Sequence, residues 1–99
     1  MYGLTISQLT SLRNVFRLFP QVEDAVLYGS RARGDYKPYS DLDITLYGKN
    51  ISLTQLAQME AMIDDLLLPY NCDLSAFHSL KNTDLIHSIE REGKSLLNN

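Results

Sequence analysis

Gly29 and Ser30 are followed, after ten intervening residues, by Asp41 and Asp43, and a further carboxylate, Asp73, stands in a short apolar run nearer the C-terminus. These residue types at this spacing suit phosphate chemistry. A glycine lets backbone come close to a phosphate, a serine donates its hydroxyl, and a helix beginning at Ser30 would turn its free amides and positive dipole end toward an anion. Two aspartates with one residue between them in an extended segment project from the same face with Cα atoms about 7 Å apart, suited to bridging one or two hard cations. A pair of such cations about 4 Å apart can activate an attacking oxygen and neutralise a departing pyrophosphate, and a third carboxylate completes the arrangement. Asp73 is the candidate, either as a ligand or as acceptor of the attacking group's proton. Magnitude separates this reading from a chance acidic strand edge: two carboxylates about 4 Å apart at an effective dielectric of about 20 repel by roughly 4 kcal/mol, a large share of a small domain's stability.

The elements that must position these residues are legible in outline. Val22 to Tyr28 is rich in β-branched and aromatic residues and stops at Gly29, so a strand delivers its C-terminal end to Gly29 and Ser30. Asp35 to Ser40, with Lys37-Pro38 inside it, is a loop. From Asp41 to Tyr47 the alternation is strict, predicting a half-buried strand with Asp41, Asp43, Thr45 and Tyr47 on one face and Leu42, Ile44 and Leu46 on the other. Asn71 to Phe77 repeats that parity as a third strand, with Asp73, Ser75 and Phe77 opposed to Cys72, Leu74 and Ala76.

Helices fill the intervals. Thr5 to Gln8 and Ser52 to Gln55 are reciprocal capping patterns, each opening an apolar stripe: Ile6, Leu9, Leu12, Val15, Phe16 and Phe19 before Pro20, then Leu53, Leu56, Met59, Ile63 and Leu67 before Pro69. Asn82 caps a last helix carrying Leu85, Ile86 and Ile89, and Gly93 suits the left-handed position that ends it. The order αβ(loop)βαβα predicts a small α/β domain of two or three layers around a short sheet.

A chain of 99 residues, 44% hydrophobic and 21% charged, reads as one domain over residues 1–99 with a packed core. The net charge of -3 and the lack of a basic run exclude a long nucleic-acid groove as the main function, whereas Arg31 and Arg33 supply the local positive spot that a small phosphate-bearing molecule needs. Cys72, the single cysteine, rules out an internal disulfide and a Cys-based zinc site and reads as a small core residue. With neither a basic leader nor a long apolar stretch at its start, the chain is expected to be cytoplasmic and off the membrane. Gly29 and Gly34 have the spacing of a Walker loop's opening, but Asp35 and Tyr36 stand where Lys and Ser or Thr are required, and no dinucleotide fingerprint is present. His78 and His87 lack partners at ligand spacing and read as surface or capping residues, and Tyr36 and Tyr39 as loop packing.

The run Gly29-Ser30-Arg31-Ala32-Arg33-Gly34 followed by Ser40-Asp41-Leu42-Asp43 resembles the signature of the DNA polymerase β-like nucleotidyltransferase superfamily, specifically its minimal nucleotidyltransferase branch. The resemblance covers nearly the whole chain. It implies a three-stranded mixed sheet packed by three to four helices, with Gly29 and Ser30, helped by Arg31 and Arg33, contacting the triphosphate. Asp41 and Asp43 would bind Mg²⁺, as two ions, with Asp73 as the third acid. It further implies ATP as donor and a HEPN-type partner in a toxin–antitoxin pair, one of whose tyrosine hydroxyls receives AMP, in a homo- or hetero-oligomer. Two other readings stay open at this point. One is an antitoxin that neutralises its partner by covering it, through apolar surface at Leu66 to Pro69 and Leu96-Leu97. The other is nucleotide transfer to a small molecule.

Overall fold

The computed structural model describes residues 1–98. Helix α1 spans Ile6–Arg17 and α3 spans Leu53–Asp64, and both start where expected because each cap is reciprocal. The Thr5 hydroxyl accepts from the Gln8 amide at 3.1 Å while Gln8 Oε1 accepts from the Thr5 amide at 2.9 Å. Ser52 and Gln55 make the same exchange at 3.1 and 3.0 Å. The two helices cover one face of a sheet through Leu9, Leu12, Val15 and Phe16 from α1 and Leu56, Met59 and Ile63 from α3. Ile6 and Leu53, counted in the expected stripes, occupy the first position of each helix and are 85% and 84% exposed. Leu67 leaves the stripe as well, since α3 stops at Asp64 and Leu67 turns outward with φ of 56°.

The sheet has four strands in the order β3-β2-β1-β4, where three were expected. β1 is Val22–Tyr28, β2 Leu42–Gly48, β3 Cys72–Ala76 and β4 Lys94–Ser95. β2 runs antiparallel to β1 and parallel to β3, so the sheet is mixed, and β4 pairs antiparallel to the outer edge of β1. Ala25, Leu27, Leu42, Ile44, Leu46, Leu74 and Ala76 form the sheet's share of the core beneath α1 and α3. Helix α2, Ser30–Arg33, is a single turn between β1 and the loop to β2, and a 3-10 turn, Phe77–Ser79, follows β3. No helix among the described residues is long and apolar enough to cross a membrane.

The last helix, α4, spans Thr83–Glu92 and is capped by the Asn82 side chain, which accepts from the Leu85 amide at 3.1 Å. Gly93 does not end it in the left-handed region. Its φ of -62° is open to any residue, and glycine is required there by proximity instead: an added Cβ would stand 2.5 Å from both the Ile89 carbonyl oxygen and Val26 Cγ1. That close approach lays α4 against β1 and lets the chain continue as β4. Leu96, expected on an apolar surface patch, is 1% exposed and belongs to the core. Its segment is tied down by Arg13 Nε donating to the Leu96 carbonyl at 2.6 Å, and by Asp24 Oδ1 accepting from the Ser95 hydroxyl at 2.8 Å.

Candidate active site

β1 ends at Tyr28, and the chain turns through Gly29 with φ of 75° and ψ of -155°, a combination essentially confined to glycine. The same residue makes room for an acid: a Cβ at position 29 would stand 2.6 Å from Asp43 Oδ2. The turn and the acid of β2 are therefore in intimate contact. α2 begins at Ser30 and closes with Gly34 in the left-handed conformation, φ 91°, leaving the amides at its start without helical partners, as at every helix start.

Sheet register aligns the rest. Tyr28 pairs with Asp43 across the antiparallel ladder, and Asp43 pairs with Asp73 across the parallel one. Directly opposed residues share a face, so Tyr28, Asp43 and Asp73 form one row across three strands, beside the turn. The next row on that face holds Val26, Thr45 and Ser75, with the Ser75 hydroxyl donating to Thr45 Oγ1 at 2.9 Å. The expected parity of the second and third strands is thus what brings Asp43 and Asp73 together. Asp41 does not lie in β2, which starts at Leu42; it is exposed at the end of the loop.

Electrostatics follows from this row. Burial, then the neighbouring Asp73 and Asp41 carboxylates, raise the pKa of Asp43 above the ordinary aspartate range, with Arg33 acting the other way. Tyr28 is also raised, by burial and by the Asp43 charge, with the nearby Ser75 side chain offsetting part of the shift. Like charges directly opposite one another destabilise a sheet, and a hard cation relieves that repulsion with donors of the right kind. Among the described residues no three acids, histidines or cysteines converge into a ready-made cage. One or two carboxylates completed by the oxygens of a bound phosphate are a donor set that a hard divalent cation accepts.

The two arginines part company. Arg33 is exposed, with Nε 3.3 Å from Asp35 Oδ2 and Nη1 3.6 Å from Glu92 Oε2, and its charge reaches Asp43. Arg31, expected on the phosphate side, is instead turned inward, 2% exposed and surrounded by carbonyls and tyrosine rings. Tyr36 packs on it and Tyr39 is 77% exposed. Sequence reasoning passed over Tyr28 and Ser75 as site neighbours. Their parity in β1 and β3 was the available signal, but only the pairing register turns parity into adjacency.

A mixed α/β sheet with a glycine-serine turn pressed against paired acids has donors for a phosphate and carboxylates for a cation side by side. The family model described as Polymerase beta, Nucleotidyltransferase matches residues 10–99, so the chain belongs to that family and is a nucleotidyltransferase. It is 36% identical over 73 residues to the Methanocaldococcus jannaschii protein named "Putative protein adenylyltransferase", covering 73% of this chain and 74% of that one. Its fold is similar to a toxin–antitoxin crystal structure with AMP-PNP, at a TM-score of 0.73 and 21% identity, over 97% of this chain and 75% of that chain. It is also similar to a chain in the complex of a tri-AMPylated Shewanella oneidensis HEPN toxin with an MNT antitoxin, at a TM-score of 0.71 and 18% identity, over 94% of this chain and 71% of that chain. At these identities the two structural likenesses concern the fold.

Proposed function

We propose that this nucleotidyltransferase moves AMP from ATP to a hydroxyl, specifically a tyrosine of a HEPN-type partner, with Asp41, Asp43 and Asp73 as the acidic residues of the reaction. The observation that carries the reading is the row in which Asp43 faces Asp73 while its carboxylate rests against Gly29. The adenylyl donor and the protein acceptor are supported by the name of the archaeal relative and by the neighbouring toxin–antitoxin complexes.

In this reading the turn at Gly29 and Ser30 receives the triphosphate through backbone amides and the serine hydroxyl, and Arg33 adds positive charge from the rim. The acceptor oxygen attacks the α-phosphorus, the bond to the bridging oxygen breaks, and pyrophosphate leaves with the bonding pair. Asp73, exposed at the end of the row, takes the acceptor's proton in this reading. Asp41, Asp43 and Asp73 would hold the divalent ions, which when bound supply charge neutralisation at the phosphates and a more nucleophilic acceptor oxygen.

The test is mass spectrometry of a HEPN-type partner after incubation with this chain, ATP and Mg²⁺. An AMP-sized increase on one tyrosine, with pyrophosphate released, is expected, and its loss in Asp41→Asn and Asp43→Asn variants that fold normally. Full transfer by either variant would refute the site. Unmodified partner, neutralised equally by wild type and variants, would mean that complex formation alone does the work.

A further inference from the structure

Arg31 is the largest fully buried side chain and yet a charged one. Among the described residues no carboxylate pairs with it. Its Nε donates to the Ser40 carbonyl at 2.9 Å, Nη1 to the Tyr2 carbonyl at 3.0 Å and Nη2 to the Pro38 carbonyl at 3.4 Å. The guanidinium carbon lies 4.2 Å from the centre of the Tyr70 ring and 5.0 Å from that of Tyr36. The N-terminal segment closes over it at Gly3, whose φ is +78° and where an added Cβ would stand 2.6 Å from Nη1 and 2.7 Å from Tyr36 Cε2. A guanidinium so enclosed would have to give up three carbonyl acceptors to reach a phosphate.

Three of the partners of Arg31 share a property. Ser40 contributes the carbonyl of the peptide that enters Asp41, Pro38 belongs to the same loop, and Tyr70 belongs to the segment that leads into β3 and Asp73. Arg31 itself follows Ser30 in α2. One planar cation therefore joins the phosphate turn to the only one of the three acids that the sheet does not hold. The Ser40 side of that joint is stiff, since its amide donates to the Lys37 carbonyl at 3.0 Å and its hydroxyl accepts from the Lys37 amide at 2.8 Å.

We propose that Arg31 is a positioning residue: its fork onto the Ser40 and Pro38 carbonyls fixes Asp41 against the turn and thereby sets the affinity of the site for divalent ions. This rests on the metal-binding reading of the acids given above. Lysine keeps the charge but loses the fork geometry, so Arg31→Lys isolates positioning from charge.

The test is Mn²⁺ binding to the full chain by electron paramagnetic resonance, beside the Mg²⁺ dependence of transfer. Arg31→Lys is expected to weaken Mn²⁺ binding about tenfold, the lower end of what loss of a residue supporting a metal ligand does. It should raise the half-saturating Mg²⁺ by the same factor, with the ATP KM at saturating metal nearly unchanged. Gly3→Ala, which presses on the guanidinium from outside the site, gives the same metal shift and serves should the lysine variant not fold. Unchanged Mn²⁺ binding in the folded variant overturns the proposal, and a raised ATP KM at saturating metal assigns Arg31 to phosphate instead. Wild-type protein that binds no Mn²⁺ defeats the metal reading itself, a failure visible before any variant is made.

Discussion

Replacing Gly29 by alanine tests the junction of turn and acid directly, and Gly34→Ala is its internal control. Both glycines have positive φ, 75° and 91°. At Gly34 nothing lies within 4 Å of an added Cβ, so the variant bears only the left-handed penalty, about 1 kcal/mol. At Gly29 the combination with ψ of -155° is costlier, about 2 kcal/mol. The new methyl would also stand 2.6 Å from Asp43 Oδ2, where ordinary contact begins at 3.4 Å. The carboxylate must therefore move by most of an ångström or the turn must open. For a domain of this size each kcal/mol lowers the Tm by about 4–8 °C, so Gly34→Ala should lose roughly that much and Gly29→Ala about 8–16 °C. A misplacement near 1 Å costs about 100-fold in rate. Transfer by Gly29→Ala, measured below its melting temperature, should fall by about that factor, and transfer by Gly34→Ala by far less. Equal activity in the two variants would refute the claim that the turn and Asp43 work as one unit.

Asp43→Asn should melt above wild type at neutral pH without metal, yet lose transfer by about a thousandfold if several kcal/mol of metal-borne stabilisation goes with the carboxylate. Because folding raises the pKa of Asp43, the native state binds its proton more tightly, and wild-type stability falls as pH rises from the ordinary aspartate range through the raised value. The melting advantage of the asparagine variant should accordingly vanish on acidification below that range; a constant gap would show that charge is not its source. Gly93→Ala, with a Cβ 2.5 Å from the Ile89 carbonyl and Val26 Cγ1 and no φ penalty, should lose about 1–3 kcal/mol by overpacking, read by denaturant titration. The Cys72 thiol, pushed up to about 12 mainly by burial, should resist iodoacetamide at pH 8 in the native protein and react freely in denaturant. Rapid native labelling would place it outside the core.

What could be read from the chain without coordinates depended on whether a feature is local. The caps of α1, α3 and α4 involve residues three apart, and all three formed. The parity of β2 and β3 depends only on alternation, and it correctly set Asp43 and Asp73 on one face. Apolar periodicity overreached at helix starts, where Ile6 and Leu53 project past the edge of the core. β4 was invisible because two residues, Lys94 and Ser95, carry no propensity signal; long-range bonds from Arg13 and Asp24 hold its segment. Arg31 could not be distinguished from Arg33 by spacing, because its burial depends on Tyr2, Pro38, Ser40 and Tyr70 arriving from three other segments.

The three acids are consequently governed by different devices. Asp43 and Asp73 are fixed by ladder register, which cannot slip by one residue without turning Leu42, Ile44 and Leu46 out of the core. Their mutual repulsion is thus built into the sheet, and the sheet's hydrophobic face offsets it. Asp41 is exposed and lies outside the ladder, so its place depends on a loop closed over one buried guanidinium. A site divided in this way holds two charges through the sheet and the third through one buried side chain, so damage to the core should unfold the protein. Damage to the loop around Arg31 should instead leave a folded protein that demands more metal.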